Sequence, residues 1–170
     1  DAHDHGSRAH RQRNRPVNVL VVSGIWPPDP GGPASHAPAL AGFLLGRGHT
    51  VEVVTTADRE PEPRDYRITW LSRGLPPGVR HAAAVRAIAR RGRRSDVVYA
   101  TSMVRRAALG AALARRPLVV KLVSDEVFER QQREGRFAGT LDEFQRVGGA
   151  RVGFLRSSRN RALRSARHVL

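Results

Sequence analysis

The chain has 170 residues, 40% of them hydrophobic, enough for one domain with a real core and too many for a fully disordered polymer. It contains no cysteine, which excludes disulfides, thiolate nucleophiles and Cys-ligated zinc. The formal net charge of +15 points toward nucleic acid or another anionic surface, although lysine occurs only at Lys121 and every other basic side chain of the Lys/Arg class is arginine.

No run approaches the apolar length of a membrane span, and the polar N-terminus lacks the apolar core of a signal peptide, so a cytoplasmic location is expected. Residues 1–16 carry His3, His5 and His10 beside Asp1 and Asp4. A His-rich tract can bind metal, but the composition reads first as a disordered basic tail. From residue 17 the pattern becomes regular. "PVNVLVVSG" is a short β-branched apolar run and predicts a buried strand. Pro33 to Arg47 predicts a helix, with Pro33 near its start, Ala37, Leu40, Ala41, Leu44 and Leu45 at helical spacing, and Gly46 and Gly48 at its exit. "HTVEVVTT" predicts a second strand, with His49 positioning the turn before it. The Pro-rich loop 57–65, a third strand in "YRITWL" and the turn "RGLPPG" follow.

The second half repeats the alternation. Val79 to Arg91 predicts a helix with Ala82, Val85 and Ala89 on one side. "SDVVYATS" predicts a strand, Met103 to Arg115 an Ala-rich helix, and "RPLVVKLVS" a strand that includes Lys121. Lys121 fits either a paired lysine at the edge of the core or a group facing a cleft. Helical stretches near 126–134 and 140–167 come next, the latter interrupted by Gly148, Gly149 and Gly153, and "RHVL" looks like the start of one more strand. Near-continuous apolar strands alternating with helices predict an α/β fold: a Rossmann-like, doubly wound, mostly parallel sheet covered on both faces, with ligands outside the carboxyl ends of the strands. Charge is uneven along this pattern. Residues 80–116 hold ten arginines against Asp96, and residues 146–170 hold seven arginines and no acid. These segments fit solvated helix faces or a patch for an anionic partner.

The loop "GIWPPDPGGPASH" stands between the first strand and the first helix. Gly31 and Gly32 let the backbone approach a ligand with no Cβ in the way, and the following helix aims its free N–H groups and positive dipole end there. An anionic group, such as a diphosphate, is the natural occupant, and a tight strand-to-helix connection is the other reading. Neither Gly-x-Gly-x-x-Gly nor Gly-x-x-x-x-Gly-Lys-Ser/Thr occurs, which argues against a dehydrogenase and an NTPase.

"VNVLVVSGIWPPDPGGPASHAPALAGFLLGRGHTVEVVTT" resembles the opening of the family-four (group one) retaining glycosyltransferases of GT-B architecture. "DVVYATS" and "RPLVVKLVSDEVFERQQREG" resemble two further blocks of that family, and the likeness runs from about Val17 to Leu170. The resemblance implies two Rossmann-like domains around a cleft, of which this chain matches the N-terminal, acceptor-side one (17–170), with the donor-binding domain expected downstream. It implies transfer from a nucleotide sugar to a sugar or lipid-linked acceptor, with no metal and no further cofactor; no Asp-x-Asp motif is present. It implies that Gly31 and Gly32 reach the donor phosphates and that His36 hydrogen-bonds a phosphate or acceptor hydroxyl; Tyr99, Thr101 and Ser102, ending the fourth strand, are candidates to line the acceptor pocket, with Ser124 and Glu129 beside them, Glu129 also reading as a surface pair with Arg130. Many relatives carry a catalytic histidine after the fifth strand. Counting from Pro117, that position is Val123 here, so Asp125 becomes the candidate replacement, with a helix N-cap as its other reading. Lipid-linked acceptors and the arginine segments together suggest peripheral contact with anionic membrane. A nucleic-acid module is disfavoured by the 5% aromatic content and the lack of any RNA-binding or zinc-finger pattern. A non-catalytic Rossmann-like nucleotide-binding module remains the other class.

Overall fold

The computed structural model describes residues 15–29, 32–122 and 125–170. The tail expected at residues 1–16 therefore lies almost wholly outside the described residues. The elements are β1 (Asn18–Ser23), α1 (Gly32–Gly46), β2 (Thr50–Ala57), β3 (Arg67–Ser72), α2 (Pro77–Gly92), β4 (Val97–Ala100), α3 (Val104–Ala114), β5 (Leu118–Val120), α4 (Glu126–Arg133), α5 (Leu141–Arg146), α6 (Ala150–Arg164) and β6 (His168–Val169). The six strands form one sheet in the order β3-β2-β1-β4-β5-β6, and every neighbouring pair is parallel. The fold is thus an α/β Rossmann-like, doubly wound sheet with helices on both faces.

Strand alternation divides the core. Val19 and Val21 of β1 and Val51 and Val53 of β2 pack with Trp26 and with Ala37 and Ala41 of α1. Leu20, Val22, Val98, Ala100, Leu118 and Val120 point the other way, onto Ile88 of α2, Ala107 and Ala111 of α3, and Ala162 of α6. Alanines let these helices sit close to the sheet. Gly110 goes further: a Cβ there would lie 2.5 Å from Ile88 Cγ2, so only glycine fits the α2–α3 contact as built. The turn into β2 uses Gly48 at φ +81, and His49 Nδ1 accepts the Val17 N–H at 3.2 Å, in the positioning role expected of it.

Several local expectations shift. Of the stripe Ala82, Val85 and Ala89, only Ala89 reaches the core. Ala84, Ile88 and Ala89 are buried, while Ala82 is exposed and Val85 half-buried. β5 closes at Val120, so Lys121 stands just beyond the strand rather than within it, though its N–H still bonds Ala100 O at 2.9 Å. The stretch 140–167 is two helices. Thr140 and Glu143 form a capping box that starts α5, Val147 is extended, and Gly149 at φ 112 leads into α6, which continues through Gly153. A small third cluster of Val127, Phe144 and Val152, with Phe128 and Phe137 beside it, joins these three helices.

Candidate functional site

The strand order reverses between β1 and β4, and the crevice outside their carboxyl ends is where open α/β sheets bind ligands. Gly24, just past β1, is held from both sides. Its N–H donates to Ser102 Oγ beyond β4, and its carbonyl accepts from Thr56 Oγ1 and from Arg73 Nη2, each at 2.9 Å. A Cβ on Gly24 would sit 3.0 Å from Ser102 Oγ and 3.2 Å from Met103 Cγ, so a side chain there would need these two to give by a few tenths of an ångström. Arg73 also meets Asp29 at 2.9 Å and Asp58 at 3.0 Å, tying the loop after β1 to the end of β2. Trp26 is buried in this loop with its ring edge-on to Tyr66 at 6.3 Å. Arg73 escaped the sequence reading. The signal was its place, directly after a strand and therefore at the ligand edge.

Gly32 is the first residue of α1, so the helix does begin in the predicted Gly-Gly loop; Gly31 lies outside the described residues. His36, one turn in, reaches across the edge. Its Nε2 lies 3.3 Å from Tyr99 Oη of β4 and 3.4 Å from Lys121 Nζ, with Lys121 Nζ 3.5 Å from Nδ1. Three elements adjacent in space thus deliver one imidazole, one phenol and one ammonium to a single place. Burial, and secondarily the Lys121 charge, hold the His36 pKa below its ordinary 6.5. Burial pushes the Tyr99 phenol above its ordinary 10.0. At neutral pH the cluster therefore sets a neutral His36 and a protonated Tyr99 beside the Lys121 side chain.

The other expected residues are placed differently. Thr101 is buried, and its N–H donates to Val22 O at 3.0 Å, which makes it part of the sheet end rather than a pocket wall. Ser102 is engaged by Gly24. Asp125 is the N-cap of α4: Oδ1 accepts from Val127 N at 2.9 Å and Phe128 N at 3.3 Å, while Oδ2 pairs with Arg159 of α6. Burial opposes ionisation of Asp125, but the hydrogen bonds from Arg159 and the two backbone N–H groups outweigh it and hold its pKa below 3.8. Ser124 lies outside the described residues. Glu129 is exposed and lines a different feature, a groove on the opposite face from α1.

That groove follows α3, with α2 on one flank and α6 on the other, and opens at the carboxyl edge beside Gly24 and Ser102. Ala82, Val85, Leu109 and Leu113 contribute apolar surface, and Leu109 and Leu113 are 53% and 54% exposed. Arg86, Arg90, Arg93, Arg105 and Arg161 line it without a carboxylate within ion-pair distance among the described residues. Most of the arginines counted in 80–116 are thus gathered by adjacent helices. Among the described residues no helix is long and apolar enough to cross a membrane. No protein-family model matches the sequence, and no curated protein matches it either.

Proposed function

We propose that the chain is the acceptor-side domain of a retaining, GT-B-type glycosyltransferase that draws on a nucleotide sugar. The observation that supports this best is the convergence, at one carboxyl edge of a parallel sheet, of the start of α1 at Gly32 with His36 and Tyr99. In this reading the N–H groups at the head of α1 face the donor diphosphate, whose negative charge grows as the bond to the anomeric carbon breaks. Fixed backbone donors stabilise that leaving group without a metal. His36 and the Tyr99 hydroxyl, each able to donate or accept, hydrogen-bond a substrate phosphate or an acceptor hydroxyl. Both Asp125 oxygens already have partners, so it serves the transferred sugar as a nearby negative charge, not as a nucleophile. The setting is cytoplasmic, and the groove along α3 rests against anionic membrane. Exposed Leu109 and Leu113, in one groove with Arg86, Arg90 and Arg105, suit a bilayer, where apolar insertion and headgroup contact act together, better than a nucleic acid.

The test screens the longest reading frame that carries this sequence against a panel of nucleotide sugars, with NMR of the product anomer. Transfer with retention is expected, and the 170-residue chain alone is expected to be inactive. Gly32→Val should lower kcat/KM by about a hundredfold, the scale of losing one oriented oxyanion contact, with unchanged melting because Gly32 is already helical. No turnover of any nucleotide sugar, or a Gly32→Val protein with unchanged kcat/KM, would overturn the reading.

A further inference from the structure

The role of Lys121 follows from counting donors and lone pairs around it. It is held against the sheet edge: its N–H bonds Ala100 O at 2.9 Å, and its side chain emerges on the same face as Val119, whose register partner is Tyr99. Its Nζ lies 3.4 and 3.5 Å from the two ring nitrogens of His36. Near-equal distances to both nitrogens leave the ammonium committed to neither one alone. An ammonium carries three donors, and a neutral imidazole offers one acceptor. If Tyr99 Oη donates to His36 Nε2, that acceptor is already used, and Nδ1–H faces Lys121 donor to donor. If Nε2–H donates to Tyr99 instead, Nδ1 can take one ammonium hydrogen. Either tautomer leaves at least two ammonium hydrogens without a protein acceptor among the described residues. No carboxylate lies within ion-pair distance of Lys121 among them. A half-buried lysine serving only the structure would be expected to carry a carboxylate partner or to extend into water.

We propose that Lys121, with His36 and Tyr99, forms a binding site for a phosphate oxyanion of the substrate, with Lys121 as the charge that selects it. The proposal rests on the glycosyltransferase reading only for the identity of the substrate; the site itself stands on the three side chains. The ammonium supplies the counter-charge, Tyr99 Oη a neutral donor, and His36 a second donor that becomes cationic when the anion arrives. Other charged groups of the edge are already committed: Arg73 to Asp29 and Asp58, and Asp125 to Arg159. Two sources could present the oxyanion, the diphosphate of a nucleotide donor and a phosphate on the acceptor.

The experiment titrates the chain with inorganic pyrophosphate, uridine diphosphate and glucose 6-phosphate in turn. Calorimetry reads affinity, and NMR reads the His36 ring, identified by its loss in His36→Gln. The chain is strongly basic, so the arginine groove will also attract these anions; the His36 resonance and the Lys121→Met difference isolate the proposed site. At least one probe should shift the His36 ring and raise its pKa. Lys121→Met should weaken that probe by about tenfold or more, as expected for loss of a charge-assisted hydrogen bond, with Lys121→Arg retaining most of the affinity. Preference for pyrophosphate and uridine diphosphate assigns the site to the donor, and preference for the sugar phosphate assigns it to the acceptor. Equal affinities of the parent and Lys121→Met proteins, or no probe moving the His36 ring, would overturn the proposal. Binding that depends on Lys121 in a protein that transfers no sugar would leave the site standing and remove the glycosyltransferase reading.

Discussion

His36 and Asp125 make opposite statements about protons. The folded chain depresses the pKa of His36, so between 6.5 and that lower value the unfolded chain binds the extra proton. Stability should therefore decline as pH falls below about 6.5. His36→Gln should lack that component, which parallel melting curves between pH 5 and 8 would show. Asp125 is also depressed, but as an acid: its contribution is present above its unfolded value of 3.8 and is lost as pH falls through the folded one. Asp125→Ala removes the cap and the partner of Arg159 and should cost about 1–2 kcal/mol at neutral pH, most of it from the cap. Asp125→Asn keeps an acceptor for Val127 N and should cost less while flattening the acid limb of the stability profile. If Asp125→Ala melts like its parent, the cap carries no weight. The two readings weighed from sequence for Asp125 were legible because a short acceptor ahead of "EVFE" is a local pattern. The partnership with Arg159 was not legible, since it joins residues separated by two helices and a loop.

Between helices, the same logic turns on small residues. Gly110 faces Ile88 so closely that a methyl group must displace it, whereas exposed Gly42 in α1 has nothing within 4 Å of a would-be Cβ. Replacement by alanine gains about 1 kcal/mol of helix propensity at either place. Gly42→Ala should therefore raise the melting temperature. Gly110→Ala should lower it, because overpacking a close helix contact costs about 1–3 kcal/mol. Calorimetric melting of the two variants decides it, and equal shifts would contradict the packing argument. The alternation of strands and helices was readable because parallel strands buried on both faces are continuous apolar runs. The face that α2 buries was not, since Ala82, Val85 and Ala89 form as good a stripe as Ala84 and Ile88 in an Ala-rich helix. Charge would have been the better guide: the first stripe runs among Arg86, Arg90 and Arg93 and lines the groove. At the site, a helix start near Gly32 was legible from local spacing, while His36 was singled out by the family resemblance. The meeting of Lys121 with His36 was not legible, because it depends on β5 lying two strands from β1.

At the scale of the molecule the sheet separates two unlike surfaces. α1 contains no Asp, Glu, Lys or Arg, while α2 and α3 carry Arg80, Arg86, Arg90, Arg105 and Arg106 and no acid, Arg91 of α2 being buried against Glu52. Vesicles containing phosphatidylglycerol should co-sediment the protein, and vesicles of phosphatidylcholine alone should not. The charge-reversed Arg86→Glu/Arg90→Glu/Arg105→Glu protein should lose most of that binding, at about 1 kcal/mol per arginine near the surface. Leu109→Gln/Leu113→Gln should weaken it further at high salt, where screening leaves apolar insertion as the main attraction. Equal sedimentation with both vesicle types would remove the membrane assignment.

The arginines of α2 and α3 also concentrate positive charge on one side of the sheet. Near a negative surface such a body rotates before it touches, so encounters become productive in one orientation and their rate falls with ionic strength. Docked that way, α1 would look outward and His36 would stand on the far side of the sheet from the surface. The carboxyl edge at Gly24 and Ser102, onto which the groove opens, would be the common threshold. A substrate drawn from the surface would have to pass over that rim to reach Tyr99 and Lys121, whereas one dissolved in water would arrive from the open side unhindered.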